Sequence, residues 1–348
     1  MTDGPGPVEA LERIAYLLER SREPTYRVQA FRRAADAVRD AGDERTAELA
    51  AQGRLRDLRG IGDSTARVVA EALAGEVPAY LTRLEEANDD AGSDDETDAP
   101  AVAALVAALV GDCHSHSDWS DGGSPIKTMA AAAAALGHRY WALTDHSQRL
   151  KVANGLSADR LRRQIDVVAE LNEGSTMRIL TGIEVDILDD GSLDADDDLL
   201  DRLDVVVASV HSKLRMDAAA MTERMVRAVT NHRVDILGHC TGRIVVGKGR
   251  PPSAFDAESV FSACVAAGTA VEINSRPERL DPPDDLLAVA AGLGASFSID
   301  TDAHAPGQLA WQRYGATKAV ACGIGSSSVV NTWDVERFLA WTSDHGRS

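Results

Sequence analysis

The stretch MRILTGIEVDI, Met177 to Ile187, is an apolar, β-branched run that carries Glu184 in its interior, and its composition predicts a strand. Six further runs share that grammar: GDCHSHS (111–117), RYWALTDHS (139–147), DVVVASVHS (204–212), VDILGHC (234–240), TAVEINS (269–275) and ASFSIDTDAH (295–304). Helical stretches separate them at Pro125 to Leu136, Ala158 to Asn172, Ala218 to Thr230, Ala254 to Ala267 and Pro283 to Leu293. Strands alternating with helices predict parallel βα units, and seven in one domain favour a closed, TIM-like α/β barrel over an open sheet.

Polar residues recur at one place in this grammar. His114 and His116 lie on the first run, His146 ends the second, Glu184 lies on the third, His211 ends the fourth, His239 ends the fifth, and Asp302 and His304 finish the last. Asp118 and Asp121 follow the first pair in GDCHSHSDWSDG. In a βα barrel the C-terminal strand ends converge on one face, so these side chains are expected to share a cleft. One histidine at a strand end is ordinarily a satisfied polar residue, but six of the nine histidines in that position make chance a poor account. Imidazoles mixed with carboxylates suit zinc, manganese or iron. Nine candidate ligands, Asp121 included, overfill one tetrahedral site, so two or three ions are expected, with Glu184 bridging a pair. Such a cluster is suited to phosphoester hydrolysis. Arg243, Lys213 and Arg276 follow strand ends and are candidates to clamp a substrate phosphate, with solvated surface cations as the alternative.

Upstream, residues 1–87 read as a small all-α domain. VEALERIAYLLER sets Val8, Leu11, Ile14, Ala15 and Leu18 on one face, and YRVQAFRRAADAV does the same with Val28, Phe31, Ala34, Ala35 and Val38. Residues 88–100, within the acidic stretch EEANDDAGSDDETDAP, are expected to be a flexible linker, and residues 101–348 to be the barrel. A net charge of -19 argues against a chain that coats nucleic acid uniformly, while leaving room for a local basic patch. Cys113, Cys240, Cys264 and Cys322 form no CxxC pair and no disulfide framework, so reduced thiols and a cytoplasmic location are expected. The chain shows no leader pattern, and its longest apolar run is too short for a bilayer, so no membrane association is expected.

The motifs DCHSHSDWSDG, LTDHS, GIEVDI, ASVHS, GHCTGR, EINSRPERLD and TDAH, in this order, resemble the PHP (polymerase and histidinol phosphatase) domain in the version attached to bacterial family X DNA polymerases. The resemblance implies a distorted seven-stranded barrel holding three divalent ions, zinc or manganese with iron also suited. It implies a first ion on His114, His116, Glu184 and Asp302, a second on Glu184, His211 and His239, and a third on Asp121, His146 and His304. Cys240 departs from the family's usual proline, and strand alternation turns Cys113 and Cys240 away from the ions.

The helical domain resembles the N-terminal domain of the same polymerases. In LRDLRGIGDSTARVVAEAL, Gly60, Ile61 and Gly62 make a Gly-hydrophobic-Gly turn whose amides, with a helix starting near Ser64, can cradle a DNA phosphate. The alternative is a plain αα-hairpin. Arg54, Arg56 and Arg59 before the turn, and Arg27, Arg32 and Arg33 earlier, favour phosphate contact. Val68 stands where related eukaryotic enzymes carry a Schiff-base lysine, and no lysine precedes Lys127, so lyase chemistry is not expected. Only the acidic stretch occupies the interval where family members carry the polymerase palm, so nucleotidyl transfer is not expected. DGSLDADDD (190–198) reads as an acidic loop, and GRIVVGKG (242–249) nearly spells a phosphate loop but lacks its Ser or Thr.

The leading expectation is a metal-dependent phosphoesterase acting on DNA 3' ends, as a 3'-5' exonuclease or 3'-phosphatase in repair, on free ends or gapped duplex. Its catalytic residues would be Glu184 and Asp302 with Arg243 and Arg276. The runner-up is a phosphatase of a small phosphorylated metabolite. A third reading is a non-catalytic adaptor that recruits a separate repair polymerase, against which the full ligand set argues.

Overall fold

The computed structural model describes residues 4–90 and 99–344. The chain divides into two compact units, Met1–Glu96 and Thr97–Ser348. The middle of the expected linker, residues 91–98, lies outside the described residues. Its flanks are helical, since one helix runs to Asp90 and the next begins at Ala99.

The first unit is built from α1 (Pro7–Arg20), α2 (Thr25–Ala41), α3 (Asp43–Ala51), α4 (Asp63–Leu73) and α5 (Ala79–Asp90). Pro7 opens α1, where a missing amide hydrogen costs nothing. The expected apolar faces are the buried ones: Leu11, Ile14, Ala15 and Leu18 on α1, and all five named positions on α2. Val8 is only half-buried, because the first turn of α1 lies at the edge of that core. Val68 is buried within α4.

The second unit is an all-parallel seven-stranded sheet in the order β1 to β7. After α6 (Ala99–Ala108) come β1 (Gly111–Asp112), α7 (Ile126–Ala135), β2 (Tyr140–Leu143), α8 (Ala158–Asn172) and β3 (Arg178–Asp186). Then follow α9 (Asp197–Leu200), β4 (Val205–Ser209), α10 (Ala218–Val229), β5 (Ile236–Leu237) and α11 (Ala257–Ala267). The barrel ends with β6 (Ala270–Asn274), α12 (Asp284–Gly292), β7 (Phe297–Asp300), α13 (Gln312–Ala321) and α14 (Val335–Asp344). Strand residues alternate between the barrel interior and the layer under the helices. Tyr140, Ala142, Val205 and Val207 pack inside with Phe338 of α14, while Val206 and Ala208 pack outward with the helices. Among the described residues no helix is long and apolar enough to cross a membrane.

The first run is strand for two residues only, which shortens the strand expected over 111–117. Beyond it the His116 amide donates to the Ala303 carbonyl at 2.7 Å, while alternate amides bond to side chains instead of to a neighbouring strand. Cys113 donates to Asp300 Oδ1 at 2.8 Å, Ser115 to Thr144 Oγ1 at 2.9 Å and Ser117 to Asp145 Oδ1 at 2.8 Å. The seam between β1 and β7 is joined by a single parallel bridge, Ser115 to Ala303, so the barrel is nearly closed. Buried amide side chains complete that seam: Asn331 Nδ2 donates to Ile299 O at 2.7 Å and Gln312 Nε2 to Gly111 O at 2.8 Å. These bonds satisfy backbone groups that a regular ladder would have paired.

Candidate metal centre

All nine expected ligands come together at the C-terminal ends of the strands. His114 and His116 flank the seam bridge just past β1, with ring centroids 5.2 Å apart. Asp121 lies in the loop that follows; His146 lies three residues past β2, His211 and His239 lie two residues past β4 and β5, and Asp302 and His304 follow β7. Asp302 adopts a left-handed φ of 51°, a conformation that a non-glycine residue holds only where its surroundings demand it.

Glu184 is the centre of the group. It sits within β3, buried, and its two oxygens lie 2.8 to 3.6 Å from imidazole nitrogens of His114, His116, His146, His211 and His239. Asp302 Oδ1 is 3.4 Å from His116 Nε2, and Asp121 Oδ1 lies 3.5 Å from His146 Nε2 and 3.4 Å from His304 Nε2. The donor atoms fall into four overlapping sets within 4.8 Å: His116, Asp121, His146 and His304; His114, Glu184 and His239; His114, His116 and Asp302; and His146, Glu184 and His211. His114 and His116 thus each approach a second set, beyond the first-ion group that the resemblance implies.

Both Glu184 oxygens, both nitrogens of His116 and of His211, and His114 Nε2 are buried with no hydrogen-bond partner. Orphaned buried polar atoms are costly, and so many aimed at one another need a cation in common. The electrostatics agree. Burial, with His304 and His146 alongside, holds the His116 imidazole down to about 3, so it is neutral and offers lone pairs. Burial opposes charge on Glu184, yet His146, His211 and His114 around it hold its carboxyl well below the usual range. Burial likewise opposes the ionised form of Asp302, which Arg276 and His116 nevertheless keep low. Against burial, Glu272 and Glu184 raise His114, and Glu184 raises His211 and also His146, the last to about 10. A cation entering the cluster must displace protons from these three, after which neutral imidazoles with ionised carboxylates are the donor set that zinc or manganese takes.

Three contributors escape the strand-end reading. Glu272, buried in β6, accepts from His114 Nδ1 at 2.5 Å and so turns Nε2 toward Glu184. Asp186, two residues past Glu184, lies 3.4 Å from His211 Nδ1. Each is an acid in an otherwise apolar strand, which was the available signal. Replacing Glu272 with Ala is expected to weaken metal binding about 10- to 100-fold, measured by competition with a chelator. The third is Arg279, which reaches Asp302 Oδ2 at 3.0 Å.

A cavity of about 420 Å³ opens over the cluster, walled in part by Arg276 and Arg279. Arg276 fills the expected place, with Nη1 3.0 Å from the Asp302 carbonyl oxygen and 2.8 Å from His304 Nδ1. Arg243 does not. Its guanidinium donates to the carbonyls of Arg279, at 2.9 Å, and of Leu280, so it holds the turn that presents Arg279 and does not line the cavity. Lys213 is spent on Asp189 at 2.6 Å.

In the helical unit, Gly60 has φ 107°, and a Cβ there would lie 3.2 Å from the Arg33 carbonyl oxygen, so the turn needs glycine and sits against Arg33. Ile61 plugs the core, and α4 starts at Asp63, with Ser64 in its first turn. The Gly62 amide donates to Thr65 Oγ1 at 2.9 Å, so it is not free for a phosphate. Arg32 pairs with Glu19 at 2.5 Å, and Arg27 bonds Glu23 and the Tyr80 hydroxyl. Arg54 and Arg56 are paired with Asp57 and Asp63. Arg33 and Arg59 are exposed, with no ion pair among the described residues.

Residues 4–77 match the family model of the helix-hairpin-helix domain and residues 112–276 that of the PHP domain. The chain is 40% identical over 255 residues to the DNA polymerase/3'-5' exonuclease PolX of Bacillus subtilis (strain 168), covering 72% of this chain and 44% of that protein. It therefore spans less than half the length of that relative. A protein of Thermoanaerobacter sp. (strain X514) named "Probable phosphatase" is 28% identical over 250 residues, 69% of this chain and 96% of that protein. Among solved structures, the histidinol phosphate phosphatase of Lactococcus lactis, complexed with zinc, L-histidinol and phosphate, aligns with a TM-score of 0.46 at 17% identity, over 62% of this chain and 94% of that one. With both family models matched in sequence order around the cluster just described, the chain belongs to the PHP-domain proteins, its barrel preceded by a helix-hairpin-helix domain.

Proposed function

We propose that this chain is a metal-dependent phosphoesterase that holds three divalent ions, zinc or manganese, and removes nucleotides or phosphate from DNA 3' ends. The observation that carries the hydrolytic reading is the gathering of nine donors, all but the exposed Asp121 buried or half-buried and five of them imidazoles set against Glu184, beneath a cavity lined by two arginines. In this reading His114, His116, Glu184 and Asp302 hold the first ion, Glu184, His211 and His239 the second, and Asp121, His146 and His304 the third. When bound, such ions supply positive charge to a phosphoryl oxygen and acidify water near neutral pH. Arg276 and Arg279, steered by Asp302, orient the phosphate, and Glu272 keeps the His114 tautomer that points a lone pair inward.

DNA as substrate is supported by the helix-hairpin-helix domain in the same chain, by the exposed Arg33 and Arg59 beside its turn, and by the 40% identity to a protein named as a 3'-5' exonuclease. The test is a 5'-labelled duplex with a recessed, gapped or 3'-phosphorylated end, incubated with manganese- or zinc-loaded protein. A ladder shortening from the 3' end, or loss of the 3'-phosphate, is expected. The likeness to a protein named as a phosphatase favours a second reading, hydrolysis of a small phosphorylated metabolite. Intact DNA alongside rapid release of phosphate from such esters would establish it in place of the first.

A further inference from the structure

His116 and His146 turn their rings into the donor cluster, and each has a polar neighbour along the chain that turns the other way. Ser117 follows the first and Asp145 precedes the second, and the two side chains bond each other behind the ligands. Asp145 is fully buried and belongs to none of the four donor sets. Its two oxygens accept four hydrogen bonds: from the Ser117 amide at 2.8 Å, the Ser117 hydroxyl at 2.6 Å, the Ser120 hydroxyl at 2.5 Å, and Gln164 Nε2 of α8 at 2.6 Å. A buried carboxylate is costly unless its acceptor sites are filled, and it offers nothing but acceptors. Four donors match it, whereas an amide in its place would set a donor against a donor.

Three of those donors belong to Ser117 and Ser120, so Asp145 fixes the course of the chain from 117 to 122. The Gly122 amide closes this turn on the Ser117 carbonyl at 2.9 Å, and a Cβ on Gly122 would lie 2.6 Å from that oxygen. On its outer side the Trp119 carbonyl accepts from Asn154 Nδ2 at 3.1 Å and from the Arg160 guanidinium. The Gly123 amide donates to the His304 carbonyl at 2.7 Å, which ties the turn to another ligand. Asp121 stands in this turn and on no strand, so no ladder sets its position. It is exposed, and yet its Oδ1 faces both His146 and His304. The bonds to Asp145 supply the order that the sheet does not.

We propose that Asp145 is a positioning residue for one ion alone: it shapes the 117–122 turn that delivers Asp121, and so sets the affinity of the group His116, Asp121, His146 and His304. The groups that share Glu184 do not depend on it, because Glu184 lies within β3 and His211 and His239 directly follow β4 and β5. Hydrogen-bond partners standing behind a ligand hold it in the orientation that binds, and the ion is weakened when they are lost. This inference rests on the three-ion reading above.

The test titrates the metal-free, full-length chain with zinc or manganese against a chromogenic chelator, which counts the ions and gives a dissociation constant for each. Wild-type protein is expected to take three per chain. Asp145→Asn is expected to weaken one of them about 10- to 100-fold and to leave the other two within about twofold. Ser120→Ala, which removes a single hydroxyl and serves if the buried substitution does not fold, is expected to weaken the same ion about tenfold. Asp121→Ala identifies that ion by deleting one of its ligands. Asp145→Asn combined with Asp121→Ala is expected to bind no more weakly than Asp121→Ala alone, because the effect of Asp145 passes through Asp121. Three ions of wild-type affinity in the variants, equal weakening of all three, or a further loss in the double variant overturns the role of Asp145 alone. A wild-type chain that takes fewer than three ions overturns the three-ion reading and the role of Asp145 with it.

Discussion

Glu184→Gln is expected to lower phosphoester hydrolysis on the order of 10³-fold, equally on DNA and on a small ester. The side chain keeps its shape and loses its charge, and that charge faces five imidazoles within 3.6 Å. No other carboxylate in the cluster is so shared, since Asp302 faces His116 and His304, and Asp121 faces His146 and His304. Metal content, counted per chain by elemental analysis, should fall along with activity. Chelation should silence the wild-type protein, and added manganese or zinc should restore it while leaving Glu184→Gln inactive. Full activity in metal-free protein, or in Glu184→Gln with native metal content, would exclude a shared carboxylate at the centre of the mechanism.

Deleting residues 1–98 is expected to reduce kcat/KM on DNA by about 10²-fold at moderate salt, while the ratio for a small chromogenic ester changes little. The loss should be largest at low salt and shrink as salt is raised, because the phosphate contacts of the helical unit act through counterion release and give the full chain the steeper salt dependence. The truncation is a fair experiment on the barrel. The apolar core of the first unit is closed within Val8 to Leu84, and the three cores of the second use only residues from Val102 onward. Arg33 and Arg59 at the hairpin account for the expected effect more than Arg27 or Arg32, which are occupied by Glu23 and Glu19. Equal loss on both substrates, or none on DNA, would favour the metabolite phosphatase.

Much of this was legible in the amino-acid order. A buried parallel strand must be a short apolar run and its covering helix a longer amphipathic one, so the alternation of the two predicts seven βα units and the structure has them. A polar side chain at the C-terminal end of such a strand has only the barrel mouth to enter, so eight of the nine donors could be named from position, and Asp121, in the loop after β1, joined them from the motif that carries His114 and His116. Position says nothing of distance. That Glu184, and not one of the more numerous aspartates, stands against five imidazoles follows from its place inside β3, where the neighbouring strands bring His146 and His211 alongside. The same limit applies to the arginines. Arg243 and Arg279 both lie just past strands in polar turns, and only the folded chain turns one guanidinium onto backbone carbonyls and the other onto Asp302. Glu272 hid within β6 because an acid inside a strand is read by its partner, and that partner, His114, is 158 residues away in sequence. Local periodicity is written into the chain because each residue's burial depends on its near neighbours. Which charge meets which is decided by contacts between distant segments, and those exist only once the barrel has closed.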